Sequence, residues 1–217
     1  MEKDLCRKTV EDLGIAAGAS IVGVAASDDF GLALEGRRPA DNLEGCLSVI
    51  VLGAPFPQES LFKSSEEYTE IRHGMLKKMN CVAKEVTKAI LSKGFKAKAM
   101  DGLSGKISLK HAAELAGIGI IGRNYLLINP EHGNLLWFSA VLTDAYITPD
   151  RKAQYTICDN CNKCVEICPA KALDNPASFG KKECNRVCWK LENNEWILNC
   201  FLCRKVCPYR FGIPLHR

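Results

Sequence analysis

The sequence predicts an α/β or α+β fold for residues 1–150, followed by a small cysteine-rich domain over residues 151–217. Helical and strand-like patterns alternate in the first region, as they do in mixed α and β domains. Hydrophobic residues make up 47% of the 217 residues and charged residues 25%, which suits one sizeable core and a small appended module. Nine of the twelve cysteines lie between residues 158 and 207, so we expect a chemically distinct second domain.

Each element of the first region follows from a local pattern. Apolar residues that recur every three or four positions predict three helices. These helices cover "LCRKTVEDLG" (5–14), the stripe from Ile71 to Ile90 that stops at Gly94, and "SLKHAAELAG" (108–117). Short apolar or alternating runs predict five strands. These strands cover "ASIVGVAAS" (19–27), "CLSVIVLGAPF" (46–56), "FKAKAM" (95–100), and two runs around the turn in "NYLLINPEHGNLLWFSAVLTD" (124–144).

The segment "GIGIIG", which contains Gly117, Gly119 and Gly122, formally matches a dinucleotide-binding fingerprint. That fingerprint must follow a strand and open a helix, so that the pyrophosphate meets the helix N-terminus. Here a predicted helix precedes the segment and strand-like sequence follows it. The order therefore favours glycines that let the backbone approach another chain segment or a flat cofactor closely.

No pattern near the N-terminus indicates export or membrane insertion. The apolar run "GIAAGASIVGVAA" (14–26) has 13 residues, too few to span a bilayer. The residues before it carry four acidic and three basic side chains, whereas a signal peptide begins with net positive charge. We therefore expect a cytoplasmic protein with reduced thiols.

The stretch "CDNCNKCVEICPA" (158–170) carries the strongest motif in the chain. Its four cysteines and following proline have the spacing with which bacterial ferredoxins bind a 4Fe-4S cluster. A second run repeats the motif at Cys200, Cys203 and Cys207-Pro208 without the first cysteine. Structural zinc is disfavoured, since a zinc site needs neither a third closely spaced cysteine nor the Cys-Pro ending. A disulfide framework is disfavoured because the thiols are bunched.

The two runs predict two 4Fe-4S clusters with exchanged ligands. In two-cluster ferredoxins the fourth cysteine of each run binds the cluster of the other run. One cluster would then be bound by Cys158, Cys161, Cys164 and Cys207. The other would be bound by Cys168, Cys200, Cys203 and one further thiol, for which both Cys184 and Cys188 are available.

The charge of the chain is unevenly distributed. Residues 151–217 contain 12 Lys and Arg against 6 Asp and Glu, whereas residues 1–150 contain 17 against 19. A basic segment can indicate nucleic-acid binding. The surplus coincides with the cysteine runs, however, and four-thiolate clusters are themselves anionic. Charge compensation of the clusters is therefore the preferred interpretation.

With these motifs the chain resembles the iron-sulfur and cobalamin enzymes that include the epoxyqueuosine reductases and, more distantly, the reductive dehalogenases. The similar segments are "ASIVGVA", "LSVIVLGAPFP", "HAAELAGIGIIGRNYLLINPEHGNLLWFSAVLTD" and both cysteine runs. Those reductases place an isolated cysteine after the first run at a spacing like that between Cys168 and Cys184. The resemblance therefore favours Cys184 over Cys188 as the missing ligand.

The resemblance implies a nitroreductase-like domain that holds cobalamin, followed by a ferredoxin-like module with two 4Fe-4S clusters. Electrons from a ferredoxin-type or flavodoxin-type donor would pass through the clusters to the cobalamin. Among site residues, the resemblance implies that Asp101, which follows the "FKAKAM" strand, is a proton donor; the alternative is a turn residue in "DGLSG". It also implies that the cofactor is contacted by Gly117, Gly119, Gly122 and Arg123.

Two departures from the family pattern modify these expectations. Ile120 and Arg123 replace the usual tryptophan and lysine of the glycine segment, which predicts an altered cofactor pocket. The chain stops at Arg217 without the helical region that engages tRNA, so a small molecule or a protein is expected as substrate instead. Three functions fit the sequence: a cobalamin-dependent reductase, an electron-transfer protein without a corrinoid, and a flavin-holding variant of the same scaffold.

Overall fold

A computed structural model describes residues 4–175 and 178–214, so Arg217 lies outside the described residues. The helices are α1 (Arg7–Ala16), α2 (Pro39–Asn42), α3 (Ser65–Ser92), α4 (Leu109–Leu115), α5 (Lys163–Glu166), α6 (Lys181–Cys188) and α7 (Leu202–Val206). The strands are β1 (Ile21–Ala26), β2 (Ser48–Pro55), β3 (Ala97–Met100), β4 (Ile120–Ile121), β5 (Leu127–Ile128), β6 (Leu136–Thr143), β7 (Trp189–Glu192) and β8 (Glu195–Leu198). The mixed α and β prediction is confirmed, because all three predicted helices and all five predicted strands are present.

The chain divides into two compact units. The first, called the sheet unit below, comprises residues 1–55, 75–119 and 137–154. The second, called the cysteine unit, comprises residues 56–74, 120–136 and 155–217. The cysteine unit therefore contains the cysteine-rich region together with two segments that precede residue 150 in the sequence.

The sheet unit is built on a four-stranded sheet with the strand order β1-β2-β6-β3. Strands β1 and β2 pair antiparallel from Ile21 opposite Gly53 to Ala26 opposite Ser48, and β3 pairs antiparallel with β6. Strand β2 is buried along almost its whole length, as its unbroken apolar sequence requires. Helices α1 and α4 pack on β1, and the Met75 to Ile90 stripe of α3 is buried as the periodicity predicted.

A partly buried ion pair fixes α1 in the sheet unit. The Arg7 guanidinium donates to both carboxylate oxygens of Asp150, with Nε to Oδ1 and Nη2 to Oδ2 at 3.0 Å each. The same carboxylate accepts the Val24 backbone N–H at 2.8 Å, and Arg7 also donates to the Val22 carbonyl at 3.0 Å. Bidentate, charge-assisted hydrogen bonds of this kind are among the stronger ones in proteins. They join α1, β1 and the segment after β6.

The cysteine unit consists of short elements. Strands β4 and β5 form a two-residue ladder, and β7 and β8 form a hairpin through Asn193 and Asn194, which both have positive φ. Two positive φ values in a two-residue loop suit the right-handed twist of a hairpin. Helix α5 lies within the first cysteine run, α7 lies within the second, and the two helices contact each other.

Candidate functional site

The first cysteine group surrounds a recess in the cysteine unit. The recess is lined by Cys158, Cys161, Cys164, Cys207, Asn124, Lys163, Pro208 and Tyr209. Positive φ angles at Cys158 and Asn160 turn the loop tightly, and α5 then buries Cys164. The recess therefore brings together the four thiols that the exchanged-ligand rule assigns to one cluster.

Burial and the nearby thiols raise the pKa of two members of this group, Cys164 and Cys207. Burial raises the pKa of Cys164, and the neighbouring thiols of Cys158, Cys207 and Cys161 raise it further. Burial also raises the pKa of Cys207, although the Tyr209 backbone and the Asn134 side chain donate hydrogen bonds that lower it. Four thiolates this close repel one another unless they share a cationic centre. The donor set therefore fits an iron-sulfur cluster.

The end of the glycine segment lies beside the first cysteine group. A Cβ added to Gly122 would stand 3.4 Å from the Cys158 sulfur and 2.7 Å from Ile128 Cδ1, so the backbone passes directly beside the first cysteine here. The Arg123 guanidinium donates to the Asn162 side chain, next to Cys161. Within the cysteine unit, Gly122 and Arg123 therefore position the loop that carries the first cysteines.

The second cysteine group contains five thiols, those of Cys168, Cys184, Cys188, Cys200 and Cys203. Burial raises the pKa of Cys184 to about 12, with further contributions from Cys188, Cys168 and Cys200. Burial raises the pKa of Cys203 to about 11, and Cys184 and Cys200 are again among its neighbours. Cys184 and Cys188 are four residues apart on α6, so both project from one side of the helix. The structure therefore brings both candidate thiols to this group.

Two buried asparagines that the sequence did not single out brace the cysteine runs. Asn124 donates to the Cys203 carbonyl at 3.4 Å, and Asn134 donates to the Arg204 carbonyl at 3.2 Å. Arg204 in turn donates to the Asn134 carbonyl. These bonds tie β4, β5 and their flanking residues to α7.

In the part of the chain that the structure describes, no three His, Cys, Asp or Glu side chains converge tightly enough to hold a single metal ion. A four-iron cluster is bound differently, because each cysteine binds a separate iron atom around the cube. That finding therefore concerns single-ion sites and does not bear on a four-iron cluster.

Gly117 and Gly119 belong to the sheet unit. Gly117 follows α4 with φ +69°, and a Cβ there would stand 2.2 Å from the Arg151 carbonyl oxygen. Gly119 is buried. Gly117 thus allows the close approach of another chain segment, which is one of the two interpretations that the sequence left open.

Asp101 lies in the exposed loop between β3 and α4. Its Oδ1 accepts the Leu103 backbone N–H at 2.7 Å, and its carbonyl accepts the Ser104 hydroxyl at 3.0 Å. This is the hydrogen bonding of a turn residue. A second oxygen of the carboxylate remains for other chemistry.

Helices α1 to α7, as far as their residues are described, include none that is both long enough and apolar enough to cross a bilayer.

Comparison of the sequence with known proteins gives epoxyqueuosine reductases as relatives. No family model matches the chain. An epoxyqueuosine reductase of Lactococcus garvieae is 28% identical over 204 residues, which are 84% of this chain and 57% of that protein. An epoxyqueuosine reductase of Atelocyanobacterium thalassa is 34% identical over 119 residues, which are 49% of this chain and 38% of that protein. The chain thus spans only part of these relatives.

Solved structures share the fold at low sequence identity. An epoxyqueuosine reductase from Bacillus subtilis, with its aspartate-bearing catalytic loop swung out of the active site, matches 97% of this chain and 66% of its own, with TM-score 0.69 and 19% identity. An epoxyqueuosine reductase with a modified tRNA-Tyr stem loop matches the same shares, with TM-score 0.68 and 18% identity. A catabolic reductive dehalogenase matches 95% of this chain and 32% of its own, with TM-score 0.72 and 19% identity. The chain is thus similar in sequence to part of the epoxyqueuosine reductases, and it has the mixed α/β fold that those enzymes share with a reductive dehalogenase.

Proposed function

We propose that the chain is an iron-sulfur reductase whose cysteine unit binds two 4Fe-4S clusters. Cys158, Cys161, Cys164 and Cys207 would hold one cluster, and Cys168, Cys184, Cys200 and Cys203 would hold the other. The observation that carries this proposal is the recess lined by four cysteines, of which Cys207 comes from the second run, 43 positions after Cys164. A four-cysteine zinc site needs neither the third closely spaced cysteine of the first run nor the Cys-Pro ending of both runs.

The clusters would supply one-electron transfer, and the chain supplies their environment. Burial of Cys164 and Cys207 excludes water from one side of the first group. The Asn134 side chain donates a hydrogen bond toward the Cys207 sulfur. Hydrogen bonds to the sulfurs and solvent exposure are two factors that set the reduction potential of a cluster. In this assignment the sheet unit corresponds to a nitroreductase-like domain and the cysteine unit to a ferredoxin-like module.

The cofactor of the sheet unit is proposed to be cobalamin, and this part rests on the resemblance alone. The glycines of the segment do not leave free space for a corrin at every position. The Arg151 backbone fills the space at Gly117, and Ile128 and Cys158 fill it at Gly122. Asp101 lies in an exposed loop, and its proposed role follows from the resemblance and from the catalytic aspartate loop of the Bacillus subtilis enzyme. That role is to deliver a proton to a reduced substrate.

Metal analysis of protein purified without oxygen tests the proposal. We expect about eight iron atoms and matching acid-labile sulfide per chain, because each four-iron cluster contributes four. Iron analysis, zinc analysis and the EPR spectrum of the reduced protein are the measurements. About four iron atoms per chain would refute the second cluster, and stoichiometric zinc in place of iron would refute both.

Cofactor analysis of the same preparation separates the three candidate functions. Cobalt with a corrinoid spectrum supports the cobalamin-dependent reductase, whereas a flavin spectrum supports the flavin-holding variant. Two clusters without either cofactor, in protein from cells supplied with cobalamin, support the electron-transfer protein. In all three cases a ferredoxin-type or flavodoxin-type protein is the proposed electron donor, and the substrate is proposed to be a small molecule or a protein.

A further inference from the structure

Helix α6 has two chemically different sides. Cys184 and Cys188 share one side, and Cys188 is only 7% exposed. Lys182 and Arg186 share another side, and both are exposed, as is Lys181. Within the described residues Lys181 and Lys182 form no ion pair, while Arg186 lies 3.5 Å from Glu183. The helix therefore separates the second cysteine group from a positively charged surface.

An open aromatic groove adjoins this surface. It is lined by Asn185, Trp189 and Trp196, and Trp196 is 59% exposed. The Arg72 guanidinium centre lies 5.0 Å from the Trp189 ring, which is within cation-π distance. Exposed aromatic side chains bordered by charged ones are a typical composition of a protein interface. We call the groove together with Lys181, Lys182 and Arg186 the α6 surface.

We propose that the α6 surface is the docking site of an acidic one-electron carrier protein that reduces the second cluster. This inference rests on the proposed function, because it requires a cluster at the second cysteine group. An α-helix with its side chains is about 10–12 Å across, so a carrier docked here would be separated from Cys184 by about one helix. One electron leaves the reduced carrier and reduces the oxidised cluster, and no covalent bond forms or breaks.

Charge complementarity selects the acidic carrier. Residues 151–217 hold 12 basic and 6 acidic residues, and three of the exposed basic ones stand on α6. Weak redox complexes have small interfaces, and opposite surface potentials supply their fast association. A basic surface with tryptophans also suits single-stranded RNA. The thiols on the other side of the same helix favour the electron carrier, because electron transfer requires a redox centre nearby and RNA binding does not.

Charge reversal in the full, iron-loaded chain tests the inference. The variant Lys181→Glu with Lys182→Glu removes two cations from the α6 surface and adds two anions. The matched control is Lys77→Glu with Lys78→Glu, an adjacent pair of exposed lysines on α3. Cluster reduction is followed anaerobically by the loss of visible absorbance, with a reduced acidic flavodoxin or with dithionite as reductant.

We expect the α6 variant to be reduced by flavodoxin at least about tenfold more slowly at low ionic strength, because steering by charge accounts for effects of 10- to 1,000-fold. The difference should shrink as salt is added. The neutral variant Lys181→Gln with Lys182→Gln should lie between the wild type and the reversal. Dithionite reduction and iron content should stay unchanged, and the α3 control should match the wild type.

Equal flavodoxin rates for the α6 variant and the α3 control would overturn the inference. Binding of an RNA stem loop that only the α6 variant loses, with unchanged flavodoxin rates, would assign the surface to RNA instead. Failure of the proposed function itself is distinguishable, because wild-type protein would then lack the iron that both reductants reduce.

Discussion

At the scale of single residues, the second cysteine group offers one thiol more than a four-iron cluster binds. Cys184 and Cys188 both reach the group from α6. The neighbours of Cys188 are Cys184, Cys200 and Cys203, whereas Cys184 also has Cys168 as a neighbour. Cys184 is the ligand that the resemblance favours, and Cys188 is the alternative that α6 also brings to the group.

Replacing Cys184 and Cys188 by serine, one at a time, should show which of the two thiols is the cluster ligand. We expect Cys184→Ser to lose the second cluster or convert it to a three-iron form, because serine replaces the soft thiolate that iron-sulfur clusters prefer. Cys188→Ser should retain about eight iron atoms and the EPR signals of the wild type. Each variant is the control for the other, since both alter one sulfur on the same side of α6. The reverse pattern would identify Cys188 as the ligand.

Most of the candidate site could be predicted at this scale, since cluster ligands come from short, fixed spacings. The rule of exchanged ligands assigned Cys207 to the cluster of the first run from the sequence alone. The residues that brace the site could not be predicted in the same way. Asn124 and Asn134 contact residues 79 and 70 positions away, and an isolated asparagine in sequence carries no signal for such a contact.

At the scale of secondary structure, the predicted elements are present but their ends differ. The apolar stripe placed the α3 helix from Ile71, whereas the helix begins at Ser65. Its first turn is polar, so hydrophobic periodicity cannot detect it. The signal was instead a capping box, in which Glu67 N–H donates to the Ser64 hydroxyl and Ser64 N–H donates to the Glu67 carboxylate. The β7–β8 hairpin was missed because the cysteine spacing dominated the interpretation of that region.

The anchoring of α1 is an element-scale property that mutation can measure. Asp150→Ala should lower the free energy of unfolding by about 2–3 kcal/mol, because it leaves the Arg7 guanidinium and the buried Val24 N–H without their shared acceptor. Asp12→Ala is the matched control, since Asp12 forms an exposed ion pair with Lys8 on the same helix. Exposed pairs contribute little, so the control should unfold at the wild-type midpoint. Urea unfolding followed by circular dichroism measures both, and equal midpoints would contradict the anchoring role.

At the scale of the whole molecule, the chain combines a nearly neutral region over residues 1–150 with a basic region over residues 151–217. The surplus of six basic residues in 151–217 balances, in sign, the negative charge that two four-thiolate clusters would bring. The same surplus provides the exposed cations of α6. The basic surplus would therefore serve both cluster binding and carrier docking. The position of the α6 surface and of its aromatic groove could not be predicted without the fold.

Cobalamin binding is the whole-molecule property that separates the corrinoid reductase from the electron carrier. Titration of the iron-loaded protein with cob(II)alamin should give a dissociation constant of about micromolar or tighter, because a catalytic cofactor must stay bound. This corresponds to a binding free energy of about −8 kcal/mol. The visible and EPR spectra report the binding.

Asp101→Asn should keep this affinity and the turn, since asparagine retains the oxygen that accepts the Leu103 N–H. It should nevertheless slow the turnover of whichever small-molecule or protein substrate the wild type reduces by about 10²- to 10⁴-fold, because the amide cannot deliver a proton. An Asp101→Asn variant as active as the wild type would leave Asp101 a turn residue, and no binding at tens of micromolar would leave the electron carrier as the function.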